Sequence, residues 1–429
     1  MVRIASWSNI LATRTRLIPY RDGVLGTGEG PFIPRGAGRS FGDAAYVGGG
    51  DTVCSSGANL AFSIASDGRT LTCASGAPVG ELQKEVERAH CYWAVFGGTQ
   101  WVTAGGAVAS DIHSKAIPDE GSCGNHVEAL TVVTPDGVER PCSRDESPDL
   151  FAATIGGMGM TGYIKQVTFR LQPPRPCGVR IRAARFETIA EMKSISQATS
   201  DDLQVVEWVD LTRENFRGIV WRARYVDDQV AAPPPHSDMW LPRIRAFYGP
   251  SVSLIEHITL RVAGTLDTTA HRRRFHYGSL HERFRNWNRL YGRRGFIEYH
   301  FCVPDANLEE AFRTLARLRR AYRAAVFFGA GKRFSDIPRA GLMSFPMDGW
   351  GVNFQTPESP ANRCFLVEFG DAVAELGGRI YLAKDAVATP RQLERMYPRL
   401  SEWQTLLRRY DPCKKIQSDL SRRLELKPW

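Results

Sequence analysis

The sequence predicts an α+β protein built as two domains, and three observations carry that expectation. A chain of 429 residues exceeds what one ordinary core organises. Glycine is abundant, at 40 residues, and much of it lies in the first 165 positions among short, mixed strand-like and helix-like runs. Near 177 the texture changes to longer alternating runs interspersed with amphipathic stretches, the pattern of a sheet covered by helices on one side.

Taken in order, residues 1–34 enter irregularly and lead to PFIPRGAGRSFGDAAY. TLTCAS at 70–75 reads as a strand, and 79–90 as a helix with Val79, Leu82, Val86 and Ala89 on one face. CYWAVFGG at 91–98 reads as a strand running into a glycine turn. The stretch 127–142 reads as a hairpin turning at Asp136-Gly137. Residues 151–174 read as a short helix, a glycine loop and a strand. VRIRAARF, VVEWVDL and GIVWRARYV are further strands, 231–243 is a proline-rich loop, and 306–325 is an amphipathic helix. Helices recur through 391–410.

Composition bounds the partners. The formal charge is +9, arginine-heavy, which leaves phosphate-bearing ligands, nucleic acid and anionic headgroups open. Nine cysteines without CxxC spacing predict reduced, mostly buried thiols, with neither zinc knuckle nor disulfide framework, and no metal site is expected. The first residues lack the apolar core of a signal peptide, and no run of about 18 apolar residues exists, so a cytoplasmic protein is expected, at most peripheral to a membrane.

Three glycine-rich loops carry the chemistry. In Arg35-Gly36-Ala37-Gly38-Arg39-Ser40-Phe41-Gly42-Asp43, close glycines let successive N–H groups converge on an anion, and two arginines supply charge. The spacing G-x-G-x-x-x-G is one residue longer than the dinucleotide fingerprint, and no GK[ST] follows. GAGKRF at 329–334 places Arg333 where a P-loop needs Ser or Thr. The second loop runs from Gly97 through Gly106 and Ala107 to Asp111-Ile112-His113, a small-residue path ending at a titratable group. The third is Gly156 to Gly162. Each alone also fits a tight structural turn, but one long phosphate-bearing cofactor explains all three.

On these loops, and on GSCGNHVEALTVVTPDG, RNWNRLYGRRGFIEYHF, GLMSFPMDGW, GGRIYLAKD, MYPRLSEW and SDLSRRLEL, the chain resembles the vanillyl-alcohol oxidase (p-cresol methylhydroxylase type) flavoproteins, and within them the decaprenylphosphoryl-β-D-ribose 2′-oxidase family. The segments follow in order across nearly the whole chain, and 178–270 matches least clearly. The resemblance implies an FAD-binding domain at 1–176, completed by 379–429, and a substrate domain at 177–378 with an antiparallel sheet. It assigns FAD contacts to Pro34, Arg35, Gly36, Ala37, Gly38, Arg39, Ser40, Phe41, Gly42, Asp43 and Ala44, then to Gly98, Thr103, Ala104, Gly105, Gly106, Ser110, Asp111, Ile112 and His113, with Ile164 and Tyr381 completing the set. Many relatives link FAD through a histidine where this chain has Arg39, so the flavin is expected to be non-covalent.

The resemblance makes His113 and Lys384 the catalytic pair, since a hydride leaving a sugar carbon needs a base for the hydroxyl proton and a cation for developing charge. Which of the two does which job stays open. Lys115, Tyr277, His300, Lys332 and Asn353 fall on the substrate side. Glu298 and His300 stand where the family has glutamines, a change bearing on hydroxyl selectivity. The pocket cysteine of the family's W-N-x-C segment is absent, because Trp350 is followed by Gly-Val-Asn.

The implied reaction is FAD-dependent oxidation of a secondary sugar hydroxyl at C2′ of a polyprenyl-phosphoryl ribose. It is the first half of an epimerisation to arabinose in cell-envelope biosynthesis, with a short-chain reductase as partner. An oxidase of a free sugar, alditol or nucleoside is the alternative, and a non-enzymatic basic nucleic-acid-binding protein is the other class. Residues 271–294 hold eight arginines against one Glu, which fits a solvated face or attraction to anionic lipid.

Overall fold

The computed structural model describes the chain except residues 22–24, 27, 29, 56–60, 95–96, 114–119, 198–203, 213–215, 229, 231–240, 248, 264–266 and 272–285. The described residues form an α+β fold around three sheets. In the first, β1 (Val2–Ala5) pairs antiparallel with β2 (Ala12–Pro19), while β3 (Phe32–Arg35) and β4 (Asp51–Cys54) run parallel, in the order β1-β2-β4-β3. The second is antiparallel and comprises β5 (Phe62–Ile64), β6 (Thr70–Ala74), β7 (Val127–Val133), β8 (Glu139–Ser143) and β9 (Tyr163–Arg170), in the order β5-β6-β9-β7-β8. The hairpin β7-β8 turns at Asp136-Gly137 as expected, with Gly137 at φ +83°, a conformation that costs glycine little.

The third sheet has eight antiparallel strands: β10 (Gly178–Phe186), β11 (Gln204–Asp210), β12 (Arg217–Val226), β13 (Asp267–His271), β14 (Phe296–Val303), β15 (Phe327–Phe334), β16 (Gly349–Pro357) and β17 (Arg379–Ile380). Their spatial order is β13-β10-β12-β11-β15-β16-β14-β17. Strand alternation makes it two-faced. Ile297, Tyr299 and Phe301 of β14, with Val352 and Phe354 of β16, join one core with Leu308, Phe312, Leu315 and Leu318 of helix Leu308–Ala321 and with Phe365 and Phe369 of helix Pro360–Glu375. The alternate positions Glu298, Asn353 and Gln355 point the other way and stay free of that core.

Some expectations need correction. In the predicted helix at 79–90, which forms as Val79–Arg88, Val79, Leu82 and Val86 are buried, but Ala89 is the exposed C-cap. The apolar run from 91 does not form a strand within its described residues. Tyr92 makes one isolated bridge, to Gln172, and Tyr92, Trp93 and Ala94 are buried in hydrophobic clusters. Of the nine thiols only Cys73, Cys123, Cys142 and Cys302 are buried, while Cys177, Cys364 and Cys413 are exposed. The proline-rich 231–240 and most of the arginine run lie outside the described residues.

Candidate active site

One elongated cavity of about 800 Å³ runs between the glycine loops and the open face of the eight-stranded sheet. Gly36 and Gly38 of the first loop, Gly98 and Gly106 of the second, and Gly159 and Gly162 of the third all line it. Loops distant in sequence therefore serve a single cleft. Trp208, Lys332 and Asn353 wall it from the sheet.

The first loop is shaped for an anion. Gly38 adopts φ +64°, and a Cβ there would lie 1.9 Å from the Arg35 guanidinium, which is folded beneath the loop and donates to Ala45 O at 3.1 Å. The peptide N–H groups of Ala37, Gly38 and Ser40 have no protein acceptor among the described residues. Unspent N–H groups on a glycine loop lining the cleft are what a pyrophosphate needs. Arg39 turns its guanidinium onto indoles, 4.0 Å from the Trp7 ring centroid and 5.9 Å from that of Trp101.

The second loop leads into the short helix Ala104–Ala109, whose N-cap Thr103 accepts from Gly106 N. The chain then turns at Asp111, which holds a left-handed φ of +43° and is fully buried. Its carboxylate accepts from Ser122 Oγ at 2.8 Å and Gly124 N at 2.7 Å, which fixes the turn that delivers His113.

His113 sits at the meeting of loop and sheet. Lys332 Nζ on β15 lies 2.5 Å from His113 Nδ1. A lysine ammonium only donates, so with Lys332 charged Nδ1 is the acceptor and the ring proton resides on Nε2. The His113 ring packs against His300 at 5.0 Å, Phe334 at 5.2 Å and Tyr381 at 5.3 Å between centroids. His300 is buried with neither ring nitrogen bonded. Burial first, then the nearby charges of Lys384, His113 and Lys332, hold its pKa well below the usual imidazole value, so it is neutral at physiological pH.

Lys384 enters from a single turn of 3-10 helix, Leu382–Lys384, just after β17. Its Nζ pairs with Glu298 Oε1 at 3.0 Å, and Asn353 Nδ2 donates to the same oxygen at 3.0 Å. Glu298 Oε2 is buried without a partner among the described residues. Tyr381 OH donates to Ser110 O at 2.8 Å, tying this segment to the second loop, and burial pushes its phenol well above the ordinary range.

A family profile described as an FAD binding domain matches residues 27–143. The decaprenylphosphoryl-β-D-ribose oxidase of Mycolicibacterium smegmatis is 32% identical over 421 residues, which cover 92% of this chain and 89% of that protein. The chain belongs to the decaprenylphosphoryl-β-D-ribose oxidase family. It is an FAD-dependent oxidoreductase, and the nucleic-acid reading falls away. An uncharacterised protein of Streptomyces coelicolor is 29% identical over 77% of this chain and 94% of its own length. Bovine L-gulonolactone oxidase is 27% identical over 30% of this chain and 31% of that protein.

The residues present fit FAD. The unspent N–H groups of the first loop suit its pyrophosphate, and the cavity wall at Gly98 has no described atom within 4 Å of a would-be Cβ, so a flat ring meets only backbone there. Pro34, Arg35, Ala37, Arg39, Ser40, Phe41, Ala44, Thr103, Gly105, Ser110, Ile112 and Ile164 line the cleft with the glycines already named.

Four residues expected at the cofactor do not line the cleft. Gly42 is turned toward the Asp385 carbonyl, 1.7 Å from where a Cβ would stand. Asp43 gives its carboxylate to Arg423, at 2.7 and 3.0 Å. Ala104 is fully buried in the core, and Asp111 braces its own turn. His300 stands behind His113, away from the cavity wall. Lys115 and Tyr277 lie outside the described residues.

Sequence reasoning missed Trp7, Trp101, Trp208 and Trp221 as cleft walls, and it missed Arg423. Arg423 also pairs with Asp385 at 2.9 Å, so one guanidinium links the anion loop to the Lys384 segment. Its only sequence signal was the matched segment SDLSRRLEL.

Proposed function

We propose that the chain oxidises the C2′ hydroxyl of a polyprenyl-phosphoryl-β-D-ribose to the ketone, the first half of an epimerisation to arabinose. The observation that carries this reading is the shared cleft, with the His113–Lys332 pair and the Lys384–Glu298 pair converging on it. When bound, FAD supplies the two-electron acceptor for the hydride that leaves C2′. The protein's task is the remaining proton and the positioning.

In this reading a substrate hydroxyl inserts between Lys332 and His113. Lys332 donates to the hydroxyl oxygen, and His113 Nδ1, released from Lys332, takes the hydroxyl proton. Lys384, held by Glu298 and Asn353, places a positive charge where negative charge collects as the cofactor is reduced. Glu298 Oε2 accepts from a second hydroxyl of the sugar, the role that a carboxylate in place of an amide favours.

The flavin is non-covalent, because Arg39 cannot form the histidyl link. The first two sheets with 381–429 make the cofactor domain, and 177–380 the substrate domain, a boundary two residues later than expected because β17 pairs with β14 in the eight-stranded sheet. A short-chain reductase receives the keto product, and the enzyme works in the cytoplasm. No helix among the described residues is long and apolar enough to cross a membrane.

The test is anaerobic flavin bleaching by ribosyl lipid phosphates, free pentoses and nucleosides. Fast bleaching by the ribosyl lipid alone is expected. His113→Ala and Lys384→Ala should keep bound FAD and lose most of the bleaching rate. Wild-type rates in both variants would remove their catalytic roles, and a preference for free sugars would remove the lipid substrate.

A further inference from the structure

Helix Gly249–Ala263 wears its apolar residues on the outside. Leu254 is 60% exposed, Ile255 37%, Ile258 50% and Val262 70%, while its one carboxylate, Glu256, is 1% exposed. Ile244, just before the helix, is 48% exposed. Five of the ten large apolar side chains exposed among the described residues thus fall within 244–262, which makes them a patch and not scatter. Helix Leu308–Ala321 shows the ordinary arrangement, burying Leu308, Phe312, Leu315 and Leu318 and turning arginines and glutamates to solvent.

Within 241–263 the exposed formal charges have one sign. Arg243, Arg245 and Arg261 are exposed, His257 beside them is exposed too, and Glu256 is the only acid in that segment. Glu256 faces inward, where Oε1 accepts from Phe328 N at 3.0 Å, and Phe328 lines the cleft. Val252 on the same inner side is fully buried in a cluster with Trp287, another cleft residue. The helix therefore rides on the cleft wall.

We propose that this helix is a membrane-docking surface, its outer face entering the interface of an anionic bilayer while the flanking arginines meet the headgroups. An apolar stripe flanked by cations, with no exposed acid, is the composition of helices that lie in the interfacial plane. This surface is separate from the arginine run at 271–294, most of which lies outside the described residues. The proposal does not depend on the substrate assignment, but it would bring the cleft to the surface where a lipid-linked sugar resides.

The test is co-sedimentation of the full-length holoprotein with vesicles of phosphatidylcholine containing phosphatidylglycerol, beside pure phosphatidylcholine. Binding is expected to the anionic vesicles and to fall at least about tenfold in Leu254→Asp/Ile258→Asp. In a second variant, Leu254→Trp, brominated lipid should quench the added indole. That variant keeps the patch apolar, so it reads insertion even if the double variant folds poorly. Equal binding by the Asp variant, or no quenching of Trp at 254, overturns the proposal. So does a stable dimer in solution that the Asp variant dissociates, because the face would then be covered by a second copy. Turnover enters none of these readouts, so failure here leaves the sugar oxidation to its own test.

Discussion

Changing Arg423 to Met keeps much of the side chain's volume and removes its charge. In the native molecule the guanidinium makes four charge-assisted bonds, two to Asp43 at 2.7 and 3.0 Å, one to Asp385 at 2.9 Å and one to Ala388 O at 3.0 Å. Asp385 would keep its bonds from Val387 N at 2.9 Å and Ala388 N at 2.8 Å, whereas the Asp43 carboxylate would lose both of its bonds from Arg423. Stranding one buried charge costs about 3–5 kcal/mol, a large part of a typical domain's stability. Burial already raises the Asp43 carboxyl pKa with Arg423 present, and removing Arg423 raises it further. A folded-state acid raised above its unfolded value binds a proton that the unfolded chain releases, so the deficit should grow as pH rises past the raised wild-type carboxyl value toward the variant's still higher one. Urea unfolding at pH 5 and pH 8, followed by tryptophan fluorescence with and without added FAD, measures it. Adding Asp43→Asn should recover most of the loss. A deficit below about 1 kcal/mol, or one indifferent to pH and to Asp43→Asn, refutes the clamp.

Two other expectations follow from single contacts. Gly42→Ala puts a Cβ 1.7 Å from the Asp385 carbonyl, which must move and carry Lys384 with it. Flavin absorbance should persist while substrate bleaching slows about 10²-fold, the scale of an ångström's misplacement, and unchanged bleaching in stopped flow would contradict this. Burial pushes the Glu256 carboxyl from 4.5 up to about 8, so wild-type stability should decline as pH climbs through that window. Glu256→Gln should flatten the decline and raise the melting temperature at pH 8. Parallel melting curves for the two proteins would show that Glu256 is not the cause.

The three loops were legible because a long cofactor imposes its demands locally: small residues, free N–H groups and a histidine at the end of one path. The eight-stranded sheet was legible in part, since VRIRAARF, VVEWVDL and GIVWRARYV alternate as strands do. What escaped were pairings with no local pattern. Asp43 reads as part of an anion loop until Arg423, 380 residues away, is seen to hold it. The run from Cys91 is apolar enough for a strand, yet Tyr92, Trp93 and Ala94 are buried in hydrophobic clusters with only an isolated bridge at Tyr92. Helix Gly249–Ala263 was not singled out, because Leu254, Ile258 and Val262 look like core residues in sequence and only burial shows them facing outward.

The distance that the clamp spans also constrains the order of assembly. Phe32 pairs with Ile416, Gly48 N donates to Asp419, and Asp43 holds Arg423, so the first glycine loop is braced by residues synthesised hundreds of positions later. Contacts of such separation form late, after the intervening chain has collapsed. A nascent chain that has emerged only as far as its glycine loops lacks the brace that sets them. Flavin capture then belongs to the end of folding and not to its nucleation, and apoprotein accumulating under flavin starvation should already contain its eight-stranded sheet.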